Sequence, residues 1–233
     1  MYPVVLLAGG LATRLKPITE KVPKSMLDVA GKPFISHQLE LLNSKGVGHV
    51  VMCVGHLGEM IEDKIKDGKE FGLKVAFSYD GDKLLGTGGA IKKAEAKLPE
   101  AFFVMYGDSY LDIDYLEVQE AYMASGKDGL MTVYRNDGKW DASNVIFTNG
   151  NLVKYSKRHR SGGMDYIDYG LGILSKKALE NYEQGTVFDL ADVYERLSEE
   201  GQLHGHEVFN RFYEIGSKEG LEEVVKLLEP GRA

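Results

Sequence analysis

The fold follows from one short stretch near the start of the chain, YPVVLLAGG at residues 2–10. Tyr2–Ala8 is a short apolar run, and two glycines follow it. Short apolar runs that end at turn residues are typical of buried strands. Runs of the same kind recur at Val50–Val54 and Phe102–Tyr106. We therefore predict a core of buried strands that each end in a turn.

Segments with a helical spacing of apolar residues alternate with these strands. The clearest is Phe34–Ser44, which Gly46 follows as a stop signal. The full alternation is strand Tyr2–Ala8, helix Phe34–Ser44, strand Val50–Val54, helix Leu57–Ile65, strand Leu73–Ser78, helix Ala90–Leu98, strand Phe102–Tyr106 and helix Tyr115–Ala124. Such alternation predicts right-handed βαβ units. The predicted fold class is α/β, with a Rossmann-like, mostly parallel central sheet flanked by helices.

The pattern changes after about residue 125, where strand-like segments follow one another with turn signals between them. The predicted strands are Leu130–Tyr134, Asn144–Phe147, Leu152–Tyr155, Ile167–Leu174, Leu203–Val208 and Phe212–Ile215, and the predicted helices are Leu179–Tyr182, Leu190–Glu199 and Leu221–Leu228. We expect this β-rich portion to cap one end of the sheet. Because no linker interrupts the 233 residues, one domain over 1–233 is expected.

The composition excludes several classes of protein. The chain is 43% hydrophobic and 27% charged, as in folded globular proteins. Its formal net charge of −7 argues against a nucleic-acid partner, because such proteins gather Lys and Arg on one face. Cys53 is the only cysteine, so an internal disulfide cannot form. We see neither a signal sequence nor an apolar stretch near the roughly 18 residues of a membrane span, and we expect a cytoplasmic protein.

Segments rich in glycine and charge follow the predicted strand ends. In an open parallel sheet, ligands bind beyond the carboxyl ends of the strands. Four segments occupy such places: Gly9 onward, Gly55-His56, the loop at residues 80–89, and Gly107-Asp108. We expect these four segments to meet at one ligand site.

The segment from Gly9 to Lys24 has the features of an anion site. Glycines let backbone N–H groups approach phosphate oxygens closely. Arg14 can engage two oxygens with its planar guanidinium, and Lys24 supplies a compact charge. The segment matches neither G-x-x-x-x-G-K-[ST] nor G-x-G-x-x-G, so P-loop and ordinary dinucleotide sites lose their main support. A glycine turn followed by solvated basic residues is the alternative interpretation.

The same segment resembles the signature G-G-x-G-T-R-[LM]-x-P-x-T-x-x-x-P-K of the sugar-1-phosphate nucleotidylyltransferases. The matching residues are Gly9, Gly10, Thr13, Arg14, Leu15, Pro17, Thr19, Pro23 and Lys24. Ala12 replaces the usual glycine, which restricts the loop if that residue needs a positive φ. The resemblance implies the nucleotide-diphospho-sugar transferase fold, with a nucleotide-binding part at about 1–125 and a sugar-phosphate-binding part at 126–233.

Shorter matches extend the resemblance. The sequence LGTGG at 85–89 resembles the family's loop against which the nucleobase rests, and Gly107-Asp108 resembles the pair whose carboxylate holds Mg²⁺. Glu214 stands where the family supplies a second metal carboxylate, usually an aspartate. Gly86–Ala90 with Lys92-Lys93 resembles the branch that activates manno-heptose or mannose phosphates.

The resemblance implies a complete set of site residues. The implied catalytic residues are Arg14 and Lys24, the implied metal ligands are Asp108 and Glu214, the implied nucleotide-binding residues are Leu7, Ala8, Gly9, Gly10, Ala12, Thr13, Tyr79, Gly86, Thr87 and Gly88, and the implied substrate-binding residues are Asn144, Lys157, Asp168, Tyr169 and Gly170. Lys154, Arg158 and Arg160 compete with Lys157 for the sugar phosphate. Asp80 and Asp82 lie near enough to the base loop in sequence to influence which base is bound.

The implied reaction joins a nucleoside triphosphate (NTP) to a sugar 1-phosphate with Mg²⁺ as cofactor, as in nucleotide-sugar and polysaccharide biosynthesis. The attacking phosphate is already largely dianionic at neutral pH, so no general base is required. Two alternatives remain open: a catalytically silent subunit that binds nucleotide-sugar, and a transferase for a non-sugar phosphate such as phosphocholine or an amino-acid phosphate. The expected partners are the two substrates, and a monomer or a homodimer is expected. The sequence leaves GTP, UTP, CTP and dTTP open.

Overall fold

A computed structural model describes residues 1–10, 18–140, 142–159 and 162–229 of the chain. Its helices are α1 (Phe34–Ser44), α2 (Gly58–Ile65), α3 (Gly86–Ala94), α4 (Tyr115–Ser125), α5 (Leu190–Glu199) and α6 (Lys218–Leu228). Its strands are β1 (Val4–Leu7), β2 (Asp28–Val29), β3 (Lys32–Pro33), β4 (His49–Val54), β5 (Lys74–Tyr79), β6 (Ala101–Tyr106), β7 (Ser109–Tyr110), β8 (Gly129–Arg135), β9 (Val145–Thr148), β10 (Asn151–Tyr155), β11 (Tyr166–Ser175), β12 (Leu203–Val208) and β13 (Tyr213–Glu214).

Nine of these strands form one sheet, and its centre is parallel. β1 lies between β4 and β6 and runs parallel to both, and β5 continues the sheet beside β4. Val4 pairs with Val50 on one side and with Phe103 on the other. The carboxyl ends of the four strands therefore meet at one edge, as the alternation of strands and helices predicts.

The β-rich portion extends the same sheet instead of forming a layer of its own. β11 runs antiparallel to both β6 and β8, and β12 runs parallel to β8. The hairpin of β9 and β10 joins the start of β11 through the pair Tyr166 and Val145. The predicted α/β fold class is confirmed, with the β-rich portion at one end of the sheet.

Helices cover both faces of the sheet, because the side chains of a strand point alternately to its two faces. Val4 and Leu6 pack with residues of α1 into one core, whereas Val5 packs with residues of α3 and α5 into a second core. All three side chains are fully buried. This burial explains why the opening stretch is continuously apolar. Among the described residues, no helix is long and apolar enough to span a membrane.

Two predicted elements differ from the structure by more than their end residues. The helix predicted at Leu179–Tyr182 is wrong: a 3-10 helix spans Lys176–Leu179, and the Ser175 side chain caps it by accepting from the Ala178 amide. α3 begins at Gly86, four residues before the predicted start at Ala90. Glycine has a low helix propensity, so the sequence places these glycines in a loop, but packing against a distant segment overrides that preference.

Candidate functional site

A cleft opens at the carboxyl ends of β1, β4, β5 and β6, where the sequence predicts a ligand site. Its volume is about 240 Å³. The lining residues are Leu7, Ala8, Gly9, Gly10, Lys24, Ser25, Cys53, Asp80, Leu84, Gly86, Thr87, Ala90, Tyr106, Gly107 and Asp108. Three of the four predicted segments therefore line the cleft. The fourth, Gly55-His56, is not among the lining residues.

Glycines at the floor of the cleft allow the neighbouring strands to approach closely. The Gly107 amide donates to the Leu7 carbonyl at 2.9 Å. A Cβ on Gly107 would lie 2.8 Å from that same oxygen, and a Cβ on Gly9 would lie 3.1 Å from the amide nitrogen of Gly55. The floor thus consists of backbone, and larger side chains at these positions would push the strand ends apart.

One end of the cleft carries the charges. The Lys24 ammonium lies 2.5 Å from Oδ2 of Asp108, and both side chains are only partly exposed. Ser25 lines the cleft beside them at 3% exposure, and its hydroxyl has no hydrogen-bond partner among the described residues. A cation, a carboxylate and an unpaired hydroxyl at one place suit a phosphate and a metal ion.

Asp108 is held in place from two sides. The fully buried Gln38 of α1 donates its side-chain amide to the carbonyls of Tyr106 at 3.2 Å and of Ser109 at 2.7 Å, which fixes both ends of the turn that contains Asp108. Gln38 could not be predicted from the sequence, because a glutamine within an amphipathic helix carries no signal of this role.

Glu214 reaches the same place through a short antiparallel pair. β13 pairs with β7 so that Glu214 lies opposite Ser109, and the Ile215 amide donates to the Asp108 carbonyl at 2.9 Å. The backbone at Glu214 therefore lies beside the turn that contains Asp108, although the two predicted metal ligands are far apart in sequence. Within the described residues, no group of three or more acidic, histidine or cysteine side chains forms a metal cluster.

The opposite end of the cleft is apolar except for one carboxylate. Leu84 and Ala90 line it together with Asp80, which directly follows β5, the third strand along the sheet from the β6 end that leads to Asp108. Asp80 is 8% exposed, and its Oδ2 accepts from the Leu85 amide at 3.1 Å. Burial raises the pKa of the Asp80 carboxyl above its usual range.

The glycines at residues 86–89 serve packing between elements. A Cβ would lie 2.5 Å from the Phe188 carbonyl oxygen if placed on Gly86, and 2.3 Å from the Phe188 ring if placed on Gly88. The Gly88 amide donates to the same carbonyl at 3.1 Å. Gly86 and Thr87 line the cleft, but Gly88 does not. Phe188 occupies the open side and the amide of Gly88, whose predicted nucleotide contact stays a prediction.

Tyr79 is not among the residues that line the cleft, and its predicted nucleotide contact stays a prediction. Tyr79 ends β5, and its hydroxyl donates to a carboxylate oxygen of Glu62 on α2. Its ring packs against Gly58 and the core on that face of the sheet. Successive residues of an extended chain point to opposite sides, so Asp80 lines the cleft and Tyr79 lies on the other face.

Lys157 of the predicted sugar-phosphate loop is linked to the nucleotide loop by Asp189. Its ammonium lies 3.2 Å from Oδ2 of Asp189, whose Oδ1 accepts from the Thr87 hydroxyl and the Ala191 amide, each at 3.0 Å. Burial opposes ionisation of Asp189, but the Ala191 amide and the Lys157 charge lower its pKa overall. Asp189 was not predicted as a site residue, although its place before an amphipathic helix with Asp192 three residues later is a capping signal.

The other predicted sugar residues surround an irregular part of β11. The Asn144 side chain accepts from the Asp168 amide at 2.9 Å, and Oδ1 of Asp168 accepts from the Gly170 amide at 3.0 Å. The register of β11 with β8 shifts between Asp168 and Gly172. Burial raises the pKa of Asp168 to about 6.

Tyr169 points away from Asp168. Its ring is 2% exposed and packs beside Tyr134 and Phe212 in the core. The alternation of β11 directs this side chain into the core, and its predicted sugar contact stays a prediction. Ala12, Thr13, Arg14 and Arg160 lie outside the described residues.

Comparison with known proteins gives a family match over more than half of the chain. A model of the nucleotidyl transferase family matches residues 3–142. The chain is 28% identical over 218 residues to the mannose-1-phosphate guanylyltransferase catalytic subunit beta of Xenopus tropicalis, covering 91% of this chain and 60% of that protein. It is also 28% identical to the UTP--glucose-1-phosphate uridylyltransferase of Synechocystis, covering 84% of this chain and 55% of that protein. The chain thus spans about 60% or less of the length of these curated relatives.

Solved structures extend the likeness to the whole chain. HddC from Yersinia pseudotuberculosis, complexed with GMP-PN, has a TM-score of 0.81 and 29% identity, covering 98% of this chain and 100% of HddC. A putative glucose-1-phosphate thymidylyltransferase from Bacillus anthracis has a TM-score of 0.86 at 19% identity, covering 99% of this chain and 96% of that one. The second likeness supports the fold alone.

Proposed function

The chain belongs to the nucleotidyl transferase family, and we propose that it transfers a nucleotidyl group from an NTP to a sugar 1-phosphate and releases pyrophosphate. One observation carries the proposal: Lys24 and Asp108 form an ion pair at the strand-end cleft, and Glu214 lies on the strand beside Asp108. A cation with two neighbouring carboxylates suits a triphosphate with its metal ion.

The acceptor class is proposed from the relatives. The guanylyltransferase of Xenopus tropicalis and the uridylyltransferase of Synechocystis differ in their nucleotides, but both names specify a sugar 1-phosphate. A sugar 1-phosphate is therefore the acceptor we propose for this chain.

The charged end of the cleft would bind the triphosphate. Lys24 would contact the α-phosphate, and Ser25 offers an unpaired hydroxyl to a phosphate oxygen. Arg14 and the amides that follow Gly9 would bind the β- and γ-phosphates. These groups would hold two mutually repelling anions in line, which supplies most of what phosphoryl transfer requires.

Asp108 and Glu214 fit a Mg²⁺ ion. Mg²⁺ takes oxygen ligands, usually one or two carboxylates together with substrate phosphates. Here Asp108 pairs with the lysine proposed for the α-phosphate, and Glu214 is on the strand beside the turn that contains Asp108. The bound ion would neutralise phosphate charge. In the structure Lys24 balances the charge of Asp108, so this lysine is already directed at the place where phosphate and metal would meet.

The sugar phosphate would bind beside the nucleotide loop. Asp189 connects Lys157 to Thr87, and Thr87 lines the nucleotide cleft. An anion on the Lys157 ammonium would therefore lie close to the wall that holds the nucleotide. A phosphate oxygen of the sugar 1-phosphate would attack the α-phosphorus, the bond to the β-phosphate oxygen would break, and pyrophosphate would leave.

The test is pyrophosphate release from a panel of four NTPs and several sugar 1-phosphates in the presence of Mg²⁺. We expect release that depends on both substrates. Release without a sugar phosphate would indicate hydrolysis, and release only with phosphocholine or an amino-acid phosphate would favour the non-sugar alternative. A flat result over the panel, with NTP still bound, would favour a silent binding subunit and contradict the proposal.

A further inference from the structure

The two ends of the cleft differ in chemistry, and the difference orients a nucleotide. Lys24, Ser25 and Asp108 lie at one end, whereas apolar side chains such as Leu84 and Ala90 surround the other. The triphosphate belongs at the charged end, because a cation and metal ligands are there. The base therefore belongs at the apolar end, beside Asp80.

Asp80 is positioned by backbone on both sides. Its amide donates to the Val54 carbonyl at 2.9 Å, and its Oδ2 accepts from the Leu85 amide at 3.1 Å. The Leu84 side chain and Oδ2 of Asp80 both lie over Gly55, where a Cβ would come within 2.7 Å and 3.4 Å of them. The carboxylate is therefore fixed at the base end of the cleft.

Asp80 forms no ion pair within the described part of the chain. The Lys93 ammonium donates at 2.8 Å to the backbone carbonyl of Asp80 and not to its carboxylate. A carboxylate has about four lone-pair positions on its two oxygens, and the Leu85 amide uses one of them. A buried carboxylate with so few donors is costly unless a ligand supplies more.

Of guanine, uracil, thymine and cytosine, only guanine presents two adjacent donors on its Watson–Crick edge, the N1–H and the N2 amino group. A carboxylate can accept both in a bidentate pair. Uracil and thymine present one N–H between two carbonyl oxygens, and cytosine presents an amino group beside an unprotonated nitrogen. A carboxylate would repel the acceptors that flank the donors of these three bases.

We propose that Asp80 is the specificity-determining residue that selects guanine, so that GTP is the nucleotide substrate. The inference rests on the proposed function, since it places an NTP in this cleft. Both carboxylate oxygens accept from the base, and Oδ2 keeps its bond to the Leu85 amide. The apolar side chains around Asp80 exclude water, which makes an unmatched base expensive to bind.

The test measures nucleotide binding by calorimetry with Mg²⁺ and without sugar phosphate, so that it does not depend on turnover. We expect GTP to bind more tightly than UTP, CTP and dTTP. Inosine triphosphate lacks the N2 amino group and should bind roughly 10- to 100-fold more weakly than GTP, which corresponds to one lost hydrogen bond to a charged group. Equal affinity for GTP and inosine triphosphate would overturn the proposal without any mutation.

Asp80→Asn provides a reversal of specificity. The amide oxygen can keep the bond to the Leu85 amide, which turns the amide NH₂ toward the cleft. Xanthosine triphosphate has a carbonyl oxygen where guanine has the amino group, so it matches this NH₂. We expect the ratio of GTP to xanthosine triphosphate affinity to fall by at least about 10-fold. An unchanged ratio in a folded variant would contradict the proposal.

Asp82→Asn is the matched control, because Asp82 lies in the same loop but is exposed and does not line the cleft. Asp82→Asn should bind GTP, UTP, CTP and dTTP with affinities within about twofold of those of the parent protein. If Asp82→Asn changes the selectivity and Asp80→Asn does not, the assignment to Asp80 is wrong. GTP-selective binding without pyrophosphate release would reject the proposed function and keep this inference, whereas release with every base equally would do the opposite.

Discussion

The two halves of the candidate site lie on strands that pair differently. The candidate nucleotide residues follow parallel strands, and several candidate sugar residues lie on an antiparallel strand. β1, β4, β5 and β6 end together at the cleft, because they form the parallel centre of the sheet. β11 runs antiparallel to β6 and β8 and shifts register between Asp168 and Gly172. The nucleotide side is thus determined by strand order, and the sugar side by register and by long-range side-chain contacts.

This difference shows where sequence patterns are sufficient to predict which residues become neighbours in the fold. Any residue that directly follows a parallel strand arrives at the same sheet edge, so its neighbours are known once the strand order is known. A residue within an antiparallel strand has neighbours that depend on pairing several residues away. The nucleotide side should therefore respond to single substitutions more strongly than the sugar side.

The largest effect is expected at Lys24. Lys24→Met removes the cation that faces Asp108 and the proposed α-phosphate. By analogy with the loss of one preorganised donor, kcat/KM should fall roughly 10²- to 10³-fold, or about 3–4 kcal/mol. Steady-state kinetics measure the change. Lys32→Met is the control, because Lys32 forms an exposed pair with Glu40 outside the cleft. If Lys24→Met turns over nearly as fast as the control, Lys24 has no role in the reaction.

A smaller effect is expected at Lys157. Lys157→Met should raise the KM for sugar 1-phosphate roughly 10- to 100-fold, as for one lost charged hydrogen bond, and leave the KM for NTP nearly unchanged. Arg158→Met is the matched control, since Arg158 pairs with Asp192 at 2.8 Å on the same helix that Asp189 caps. A larger rise for the Arg158 variant would assign the sugar phosphate to the arginine instead.

Gly88→Ala distinguishes between two roles for Gly88, packing against Phe188 and contact with the nucleobase. The new Cβ would lie 2.3 Å from the Phe188 ring, so overpacking should cost about 1–3 kcal/mol in the free energy of unfolding. Urea denaturation measures this cost. Gly162→Ala serves as the control, because no heavy atom lies within 4 Å of its Cβ position. A Gly88→Ala variant that is fully stable but fails to bind GTP would indicate that Gly88 contacts the nucleotide.

The smallest effect concerns Asp168 and pH. Burial raises its pKa in the folded state to about 6, above the usual value near 3.9 of the unfolded chain. The folded state therefore holds the extra proton between these values, and the stability contribution of Asp168 falls as pH rises from about 4 to about 6. Asp168→Asn should gain stability relative to the parent over this window, by about 1–2 kcal/mol. Urea denaturation at several pH values measures the difference, and a pH-independent difference would argue against the raised pKa.

Much of the fold could be predicted from the sequence because its elements carry strong local signals. The helices at Phe34–Ser44 and Leu190–Glu199 and the strand at Leu203–Val208 have the predicted bounds. The failure at Leu179–Tyr182 arises because a serine cap and a 3-10 turn satisfy this short segment without an α-helix. Short apolar segments do not determine which kind of turn they form.

The candidate site was predictable where residues follow strands and unpredictable where they depend on packing. Asp108 and Gly9 were found from strand ends, and Glu214 was placed by resemblance. The sequence signal of Gly88, a glycine in a glycine-rich loop, is the same whether the residue contacts a base or packs against Phe188, so its nucleotide contact stays a prediction. Gln38 and Asp189 were missed because their roles consist of hydrogen bonds to distant residues.

The most direct measurement of the central claim follows the oxygen that forms the new bond. Sugar 1-phosphate labelled with ¹⁸O on its non-bridging phosphate oxygens is incubated with unlabelled GTP and Mg²⁺, and the products are separated and weighed by mass spectrometry. Attack on the α-phosphorus predicts that all the label stays in the nucleotide-sugar and that the pyrophosphate is unlabelled. Label in an inorganic product, or formation of guanosine monophosphate without nucleotide-sugar, would contradict the account.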